Sequence, residues 1–458
     1  MKKLAIGIIA LLLVGVAAYW FFHRDNDKAR NVLPEDATAA MMFEPAELVS
    51  ELGLNLKDIF NLASAFGDVE GTIDLTKPVY GFTTESGMSG LALNVEDAEK
   101  LLKLITTFGF ASEEKDGFNW IANKDYIGCF DKDKMLVVNA LLPQQDELRD
   151  EIVKLMTQSR KDVPALDKAK DQKGVFHAST ALSNIPKQYA ASLPEGTDLS
   201  KAFFNCGLRI EKKALVYAAK LDGVDNLSIP LSPIKGNLSG VVSEEPFAWI
   251  CASMKGEELL PYMRKVNELR TALLALNMCV DADMMIKAID GDVMIAMPKL
   301  DLNQSLPGII FTATLNNTDF LKNADDWKQV SKRGANDFVM SQDGINFFFG
   351  VRDDKLYITN SEELANNAFQ KGSASNFQKD AKGKFLSASI NAGQIIKAAS
   401  LDPSAAIVLN IPQVREAVEA LDRVSLNADS KQSFEFSVET NKPVKDIYKN
   451  LISLLTGK

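Results

Sequence analysis

Histidine is almost missing from this chain: among 458 residues there are only His23 and His177. A zinc site or a Ser-His-Asp triad needs a histidine held by partners in a pocket, and this inventory leaves little to build one from. His23 follows an apolar run and reads as an interfacial polar residue. His177 sits in strand-like sequence and reads as a half-buried sheet residue. The four cysteines, Cys129, Cys206, Cys251 and Cys279, are far apart and form no C-x-x-C pair. Each lies in an apolar run, which is the setting of a small buried hydrophobe. Their even number leaves a disulfide open in an oxidising compartment, with the pairing unassigned. Glycine-rich phosphate loops are absent too: no G-x-G-x-x-G, no P-loop, and no G-x-S-x-G nucleophile turn occurs.

Positive charge is also in short supply. The formal net charge is -10, and the first thirty residues are net basic, so the remainder is more acidic still. An acidic body repels phosphate backbones and forgoes the counterion release that drives nucleic-acid binding. Nucleic acid is excluded as an expected partner.

Acidic pairs are present but have a simpler reading than metal binding. Asp131 with Asp133, and Asp353 with Asp354, stand between apolar strand-like runs, where Asp serves as a turn residue. Neither continues into the alternating ligand pattern of a calcium loop. Asp290-Gly291-Asp292 reads as a turn entering a buried strand. Ser86-Gly87-Met88-Ser89-Gly90 and Leu238-Ser239-Gly240 read as loops entering strands. Met41-Met42, Met284-Met285 and Phe347-Phe348-Phe349 are apolar concentrations that core packing explains first, with a greasy ligand groove as the alternative. No catalytic, cofactor-binding or metal-binding residue is assigned, no cofactor is expected, and the expectation is a protein that is not an enzyme.

What the chain does have is a long apolar run at its start. Leu4 to Phe22 carries no charge, follows Lys2-Lys3, and ends near Tyr19 and Trp20. As a helix it would span roughly 28 Å, enough for a bilayer core. A cleaved signal peptide ending at Val16-Ala17-Ala18 is the competing reading. Cleavage there would leave an exposed Tyr-Trp-Phe-Phe terminus, so an uncleaved anchor is favoured. The expected arrangement is a single span in the cell membrane, a short polar tether from His23 to Val32, and an extracytoplasmic (periplasmic) body.

The body repeats itself. Leu91-Ala92-Leu93-Asn94 followed by a helical stretch matches Ala313-Thr314-Leu315-Asn316. Tyr126 to Phe130, a charged turn, and Met135 to Asn139 match Phe347 to Val351, a charged turn, and Leu356 to Asn360. Phe176-His177-Ala178-Ser179 parallels Phe385-Leu386-Ser387-Ala388, and Ala39 to Phe43 parallels Phe247 to Cys251. Ordered matches at nearly constant offset are the mark of an internal duplication. Alternating strands such as Phe434-Glu435-Phe436-Ser437-Val438, with amphipathic helices such as the one carrying Leu101, Leu102, Ile105 and Phe108, point to antiparallel sheet covered by helices. The expected fold class is α+β: an anchor and tether over 1-32, a first repeat over 33-228, and a second over 229-458 that ends in a helix from Val444. The seam falls near Asp225 to Glu245, which is rich in Pro, Gly and Ser.

The opening Val32-Leu33-Pro34-Glu35-Asp36-Ala37-Thr38-Ala39-Ala40-Met41-Met42-Phe43, with Gly53-Leu54 and the later Gly291-Asp292-Val293, resembles an uncharacterised envelope family of Bacteroidetes, domain of unknown function 4836. The resemblance implies an envelope location and supplies no catalytic residues. Many relatives are lipoproteins, whereas no cysteine follows the apolar run here. The leading expectation for function is a non-enzymatic interaction or scaffold module at the membrane surface, with an envelope protein as partner. The second is a binder of lipid or another apolar envelope ligand, and the third a hydrolase.

Overall fold

The computed structural model describes residues 27–54, 70–183, 198–224, 229–242, 245–300, 306–342, 344–370, 372–399 and 412–456. The apolar run Leu4–Phe22 lies outside the described residues. Among those described, no helix is long and apolar enough to cross a membrane.

The fold is mixed α+β, dominated by antiparallel sheet. In the first half the strands are β1 (Ala37–Phe43), β2 (Val79–Thr84), β3 (Ser89–Asn94), β4 (Ala111–Lys115), β5 (Phe118–Ala122), β6 (Tyr126–Phe130), β7 (Lys134–Asn139), β8 (Phe176–Ala181), β9 (Phe203–Glu211) and β10 (Ala214–Asp222). A short β11 (Leu231–Ser232) follows at the seam. The second half supplies β12 (Ala248–Lys255), β13 (Ile289–Met297), β14 (Ile310–Leu315), β15 (Val330–Lys332), β16 (Asp337–Gln342), β17 (Ile345–Arg352), β18 (Lys355–Thr359), β19 (Leu386–Asn391), β20 (Leu421–Ser430) and β21 (Ser433–Thr440).

In the first half the spatial order is β4-β5-β6-β7-β3-β2-β1-β8-β9-β10, every pair antiparallel. In the second half it is β15-β16-β17-β18-β14-β13-β12-β19-β20-β21. The same pairing scheme therefore occurs twice. The two halves were expected to carry a sheet each, but β10 pairs with β21 through seven residue positions, Ala214↔Glu439 to Lys220↔Ser433, and the sheet is continuous. The cause is local. Each half ends in a hairpin whose last strand would present unpaired N–H and C=O groups, and joining the two satisfies both edges. The remaining edges are protected by charge and brevity. β4 reads Ala-Ser-Glu-Glu-Lys and is exposed at every position, and β15 is three residues long.

Turn and cap chemistry sets the local geometry. Asp353 and Asp354 both adopt left-handed φ (49° and 54°), the pattern of a tight hairpin turn, and join β17 to β18. Asp131 instead accepts hydrogen bonds from the backbone N–H groups of Asp133 and Lys134 (2.8 and 2.9 Å) to turn β6 into β7. Asp97 caps the helix Ala98–Thr107 by accepting from the N–H groups of Glu99 and Lys100.

Asp290-Gly291-Asp292 is not a turn. It lies inside β13, where the pairing with β14 shifts register between Ile289 and Val293 and Gly291 takes φ 129°. The bulge drives Asp292 inward, fully buried. Its carboxylate accepts from the backbone N–H groups of Lys235 and Asn237, each at 2.8 Å.

Residues read as tether are also part of the body. Ala29–Val32 form a 3-10 helix, and Ala29, Val32 and Leu33 lie in the first-half core with Leu136, Ile152 and Leu166. Asp27 accepts from Tyr80 Oη and from Asn94 Nδ2, Asn94 in turn accepts from the N–H of Lys28, and Arg30 pairs with Asp167 at 3.2 Å. The chain is thus fixed to the sheet from Asp27 onward.

Helices cover the outer strands on both faces, rather than on one. Call the face bearing Met41 and Ile250 the upper face. Below, the helix Leu142–Thr157 and the short helix Pro164–Ala169 pack on Ala40, Met42, Tyr80 and Leu136. Above, the helix Ala98–Thr107 covers Leu93 and Val137. The helices Gly256–Lys265, Asn267–Asn277 and Ala282–Lys287 cover Phe311 and Ile358.

Candidate ligand-binding face

Period-two alternation gives every strand two faces, and in a half-solvated antiparallel sheet the polar one ordinarily meets water. At the centre of this sheet that rule is reversed. Following the pairing register outward from β2, the upper face carries Val79, Phe43, Phe176, Leu208, Tyr217 and Phe436 on successive strands. The same row continues through Leu426, Ala388, Ile250, Ile295, Phe311 and Ile358. No polar residue interrupts it from β2 to β18. At the seam, on β9, β20 and β21, the lower face is polar. Arg209 bonds Glu435 and Glu211 at 2.9 Å, Ser425 Oγ meets Ser437 Oγ at 2.7 Å, and Arg423 pairs with Glu439 at 3.6 Å.

The apolar row is nonetheless open in its middle. Ile250 is 40% exposed, Ile295 48% and Phe436 40%. Two clefts indent this face, one in each half. The first, about 510 Å³, lies over β7, β3, β2, β1, β8 and β9. Its floor is made of small residues, Ala39, Gly81, Gly90 and Ala178, with Met41, Leu91, Val137 and Phe204 around it. A Cβ at Gly81 would come within 2.4 Å of Met41 Cε, so any side chain there would displace that of Met41. At one end Thr83 Oγ1 and Ser89 Oγ share a hydrogen bond of 3.0 Å, close to Asn139. The second cleft, about 400 Å³, lies over β12, β13, β19, β20 and β21, of which the first four hold the places of β1, β2, β8 and β9 in the pairing scheme. Ile250, Ile295, Ile390, Val424, Leu426 and Phe436 line it. Among the described residues, no charged one lines either cleft. Both volumes fall in the range of roughly 300–1,000 Å³ typical of small-molecule sites.

The residues singled out from sequence scatter. Of Met41-Met42, the first lines the upper cleft and the second is in the lower core. Phe347, Phe348 and Phe349 do not form a groove. Phe349 is buried under the second-half helices with Phe347 packed beside it, and Phe348 is buried on the opposite side beneath the Arg333 guanidinium. Met285 is buried and Met284 is at the surface. His177 is buried on the lower face of β8, 3.8 Å from Glu44, and burial holds its pKa below the ordinary value. Burial likewise raises Glu44. Ser89 reaches the first cleft, whereas Ser239 bonds the carbonyl of Gln378.

All four cysteines are free thiols. Cys129 and Cys251 are buried, and burial first, with Asp131 and Asp292 respectively adding to it, pushes each thiol up to about 12. They are poor nucleophiles. Cys206 lines the first cleft. Among the described residues no group of three or more His, Cys, Asp or Glu could hold a metal ion.

Of the residues lining the clefts, only Met41 and Ser89 of the first stood out in the sequence as candidates. The signal that could have pointed to the first is Gly81 in an otherwise bulky strand, since glycine inside a strand marks a close approach.

Comparison with known proteins gives a family and little else. The family model described as Domain of unknown function (DUF4836) matches residues 67–438. No curated protein matches the chain. Among solved structures, crystal form IV of TP0453 is 15% identical, over 42% of this chain and 78% of that one, with a TM-score of 0.30. Crystal form I gives 14% identity, 43% and 79% coverage and a TM-score of 0.29, and crystal form III 15%, 43%, 80% and 0.30.

Proposed function

From this chain's membership of the DUF4836 family and from the geometry of its sheet, we propose that it is a membrane-anchored, extracytoplasmic protein whose open sheet face binds lipid or another apolar envelope component. The observation that carries this reading is the uninterrupted apolar row on the upper face, open to solvent at Ile250, Ile295 and Phe436. Exposed apolar area on this scale costs solubility unless something covers it, and contiguous patches of this kind mark binding surfaces. In this reading the protein is not an enzyme, since the clefts offer hydroxyls and a thiol but, among the described residues, no base beside them.

Leu4–Phe22 acts as the anchor in this proposal. The link from Phe22 to Asp27, where the body begins, then spans at most roughly 18 Å, so the face works beside the bilayer, on its extracytoplasmic side. The body is read as two diverged copies of one unit, 33–228 and 229–458, which the recurring pairing order supports.

A second reading, a protein-interaction or scaffold module, is favoured by one observation. The helix Asn267–Asn277 and the turn after it leave Leu274 64% and Met278 76% exposed. The two readings separate by native mass spectrometry of the full chain gently extracted from its own membranes. A small apolar adduct is expected. A stoichiometric second protein with no such adduct would replace lipid binding by scaffolding.

A further inference from the structure

We infer that the protein has two acyl-chain sites, one in each cleft, and that each takes a single hydrocarbon chain independently of the other. This rests on the lipid-binding reading above and adds the ligand's chemistry, the number of sites and their positions.

The occupant follows from what the clefts fail to offer. Every strand that floors them is paired on both sides, so its backbone N–H and C=O groups are already satisfied. A peptide laid here would bury its own amides without partners, and neither cleft lies at a sheet edge where a strand could be added. Sugars and nucleotides meet the same penalty, and among the described residues no cationic side chain lines either cleft to receive a phosphate or carboxylate. A hydrocarbon chain has no polar group to satisfy. It gains from burial against Leu91, Val137 and Phe204 in one cleft, and against Ile250, Ile295 and Ile390 in the other.

The site count comes from topology. Cys206 of the first cleft pairs through Ala219 to Phe434, and Leu426 of the second pairs through Phe436 to Tyr217. The two clefts thus sit on the same face, on either side of the β10–β21 seam, where the Tyr217 and Phe434 rings meet tilted at 46° with centroids 6.4 Å apart. That aromatic ridge separates them. They also differ. The first has the Thr83–Ser89 hydroxyl pair and Asn139 at one end and can accommodate a neutral oxygen-bearing end of a chain, whereas aliphatic groups dominate the second.

The test uses the full chain in phosphatidylcholine vesicles doped with a long-chain alcohol carrying a diazirine in its chain, a single hydrocarbon chain with a neutral oxygen end. After irradiation, intact mass gives the number of adducts and peptide mapping gives their positions. Labelling is expected at both clefts, up to two adducts per body. Leu91→Glu should remove the label from the first only and Ile295→Glu from the second only. Both side chains are about half exposed, at 46% and 48%, so the fold should tolerate the charge, and Leu91→Gln and Ile295→Gln serve where it does not. Labelling of one cleft alone, or loss of both labels in either single variant, overturns the two-site inference while leaving lipid binding standing. Labelling confined to Leu4–Phe22, or cross-linking of a second copy across the face, removes the lipid-binding reading itself. Labels spread over Leu274 and Met278 that persist in both variants overturn the assignment of the clefts.

Discussion

Asp292 offers a sharp test of the fold, because its burial is complete and both of its partners are backbone groups. The carboxylate is 0% exposed and accepts from the N–H of Lys235 and the N–H of Asn237, each at 2.8 Å. These two bonds pin the loop Ile234–Val242 onto β13, and Ile234, Leu238, Val241 and Val242 of that loop are core residues around Trp249 and Met294. Asp292→Ala removes two hydrogen bonds to a charged acceptor, at about 1.5–3 kcal/mol each, so the expected loss is about 3–6 kcal/mol. Asp292→Asn keeps one acceptor and turns an amide N–H₂ toward the other donor, so about 2–3 kcal/mol is expected. The assay is hydrogen exchange of the full chain, read at the amides of Lys235 and Asn237, alongside urea unfolding. Both amides should lose protection in Asp292→Ala, and in Asp292→Asn the one left facing the side-chain N–H₂. The Cys251 thiol, raised by burial and then by Asp292, should also ionise at lower pH in Asp292→Asn. If both amides stay protected and stability moves by less than about 0.5 kcal/mol, the loop is held by packing alone and the reasoning is wrong.

Tyr80→Phe should loosen the start of the body, because it removes the Tyr80 Oη donor to Asp27 and leaves Asn94 and the N–H of Arg30 as the remaining partners. A hydrogen bond to a charged acceptor contributes about 1.5–3 kcal/mol, and faster limited proteolysis around Asp27–Leu33 would report its loss. Alkali should destabilise the protein between pH 9 and about 12. Cys129 and Cys251 stay protonated there in the folded state, with pKa values about 12, while unfolded thiols ionise from about 9. The unfolded state then binds fewer protons, so stability falls as pH rises. Melting of Cys251→Ala over the same range should show a shallower fall, and an unchanged slope would count against the burial of that thiol.

Much of the local structure was legible. The alternation of Phe434-Glu435-Phe436-Ser437-Val438 is β21, and the turns at Asp131 and Asp353-Asp354 are where turn chemistry places them. Strand β4 was not legible, because Ala-Ser-Glu-Glu-Lys has no apolar alternation and is held by pairing with β5 alone. The bulge at Gly291 was misread for a related reason. Asp-Gly-Asp has the composition of a turn, and only the pairing of β13 with β12 and β14 keeps it in the strand. The candidate site was the least legible part. Phe347 to Phe349, read first as core residues, are indeed core but are divided between two clusters on opposite faces, whereas Ala39 and Ala178, which help make the floor of the first cleft, carry no mark in the sequence.

The sequence by itself determined the strand periods, the amphipathic helices and the hairpin turns at Asp131 and Asp353-Asp354. These are properties of neighbouring residues, and local steric and solvation preferences suffice to set them. Only the tertiary structure decided that β10 meets β21, that the polar face of the strands at the seam turns downward, and that the apolar face is left open between two helical layers. Alternation fixes that a strand has two faces. Which of them is covered depends on elements hundreds of residues away, because register and burial are set by what packs against the strand.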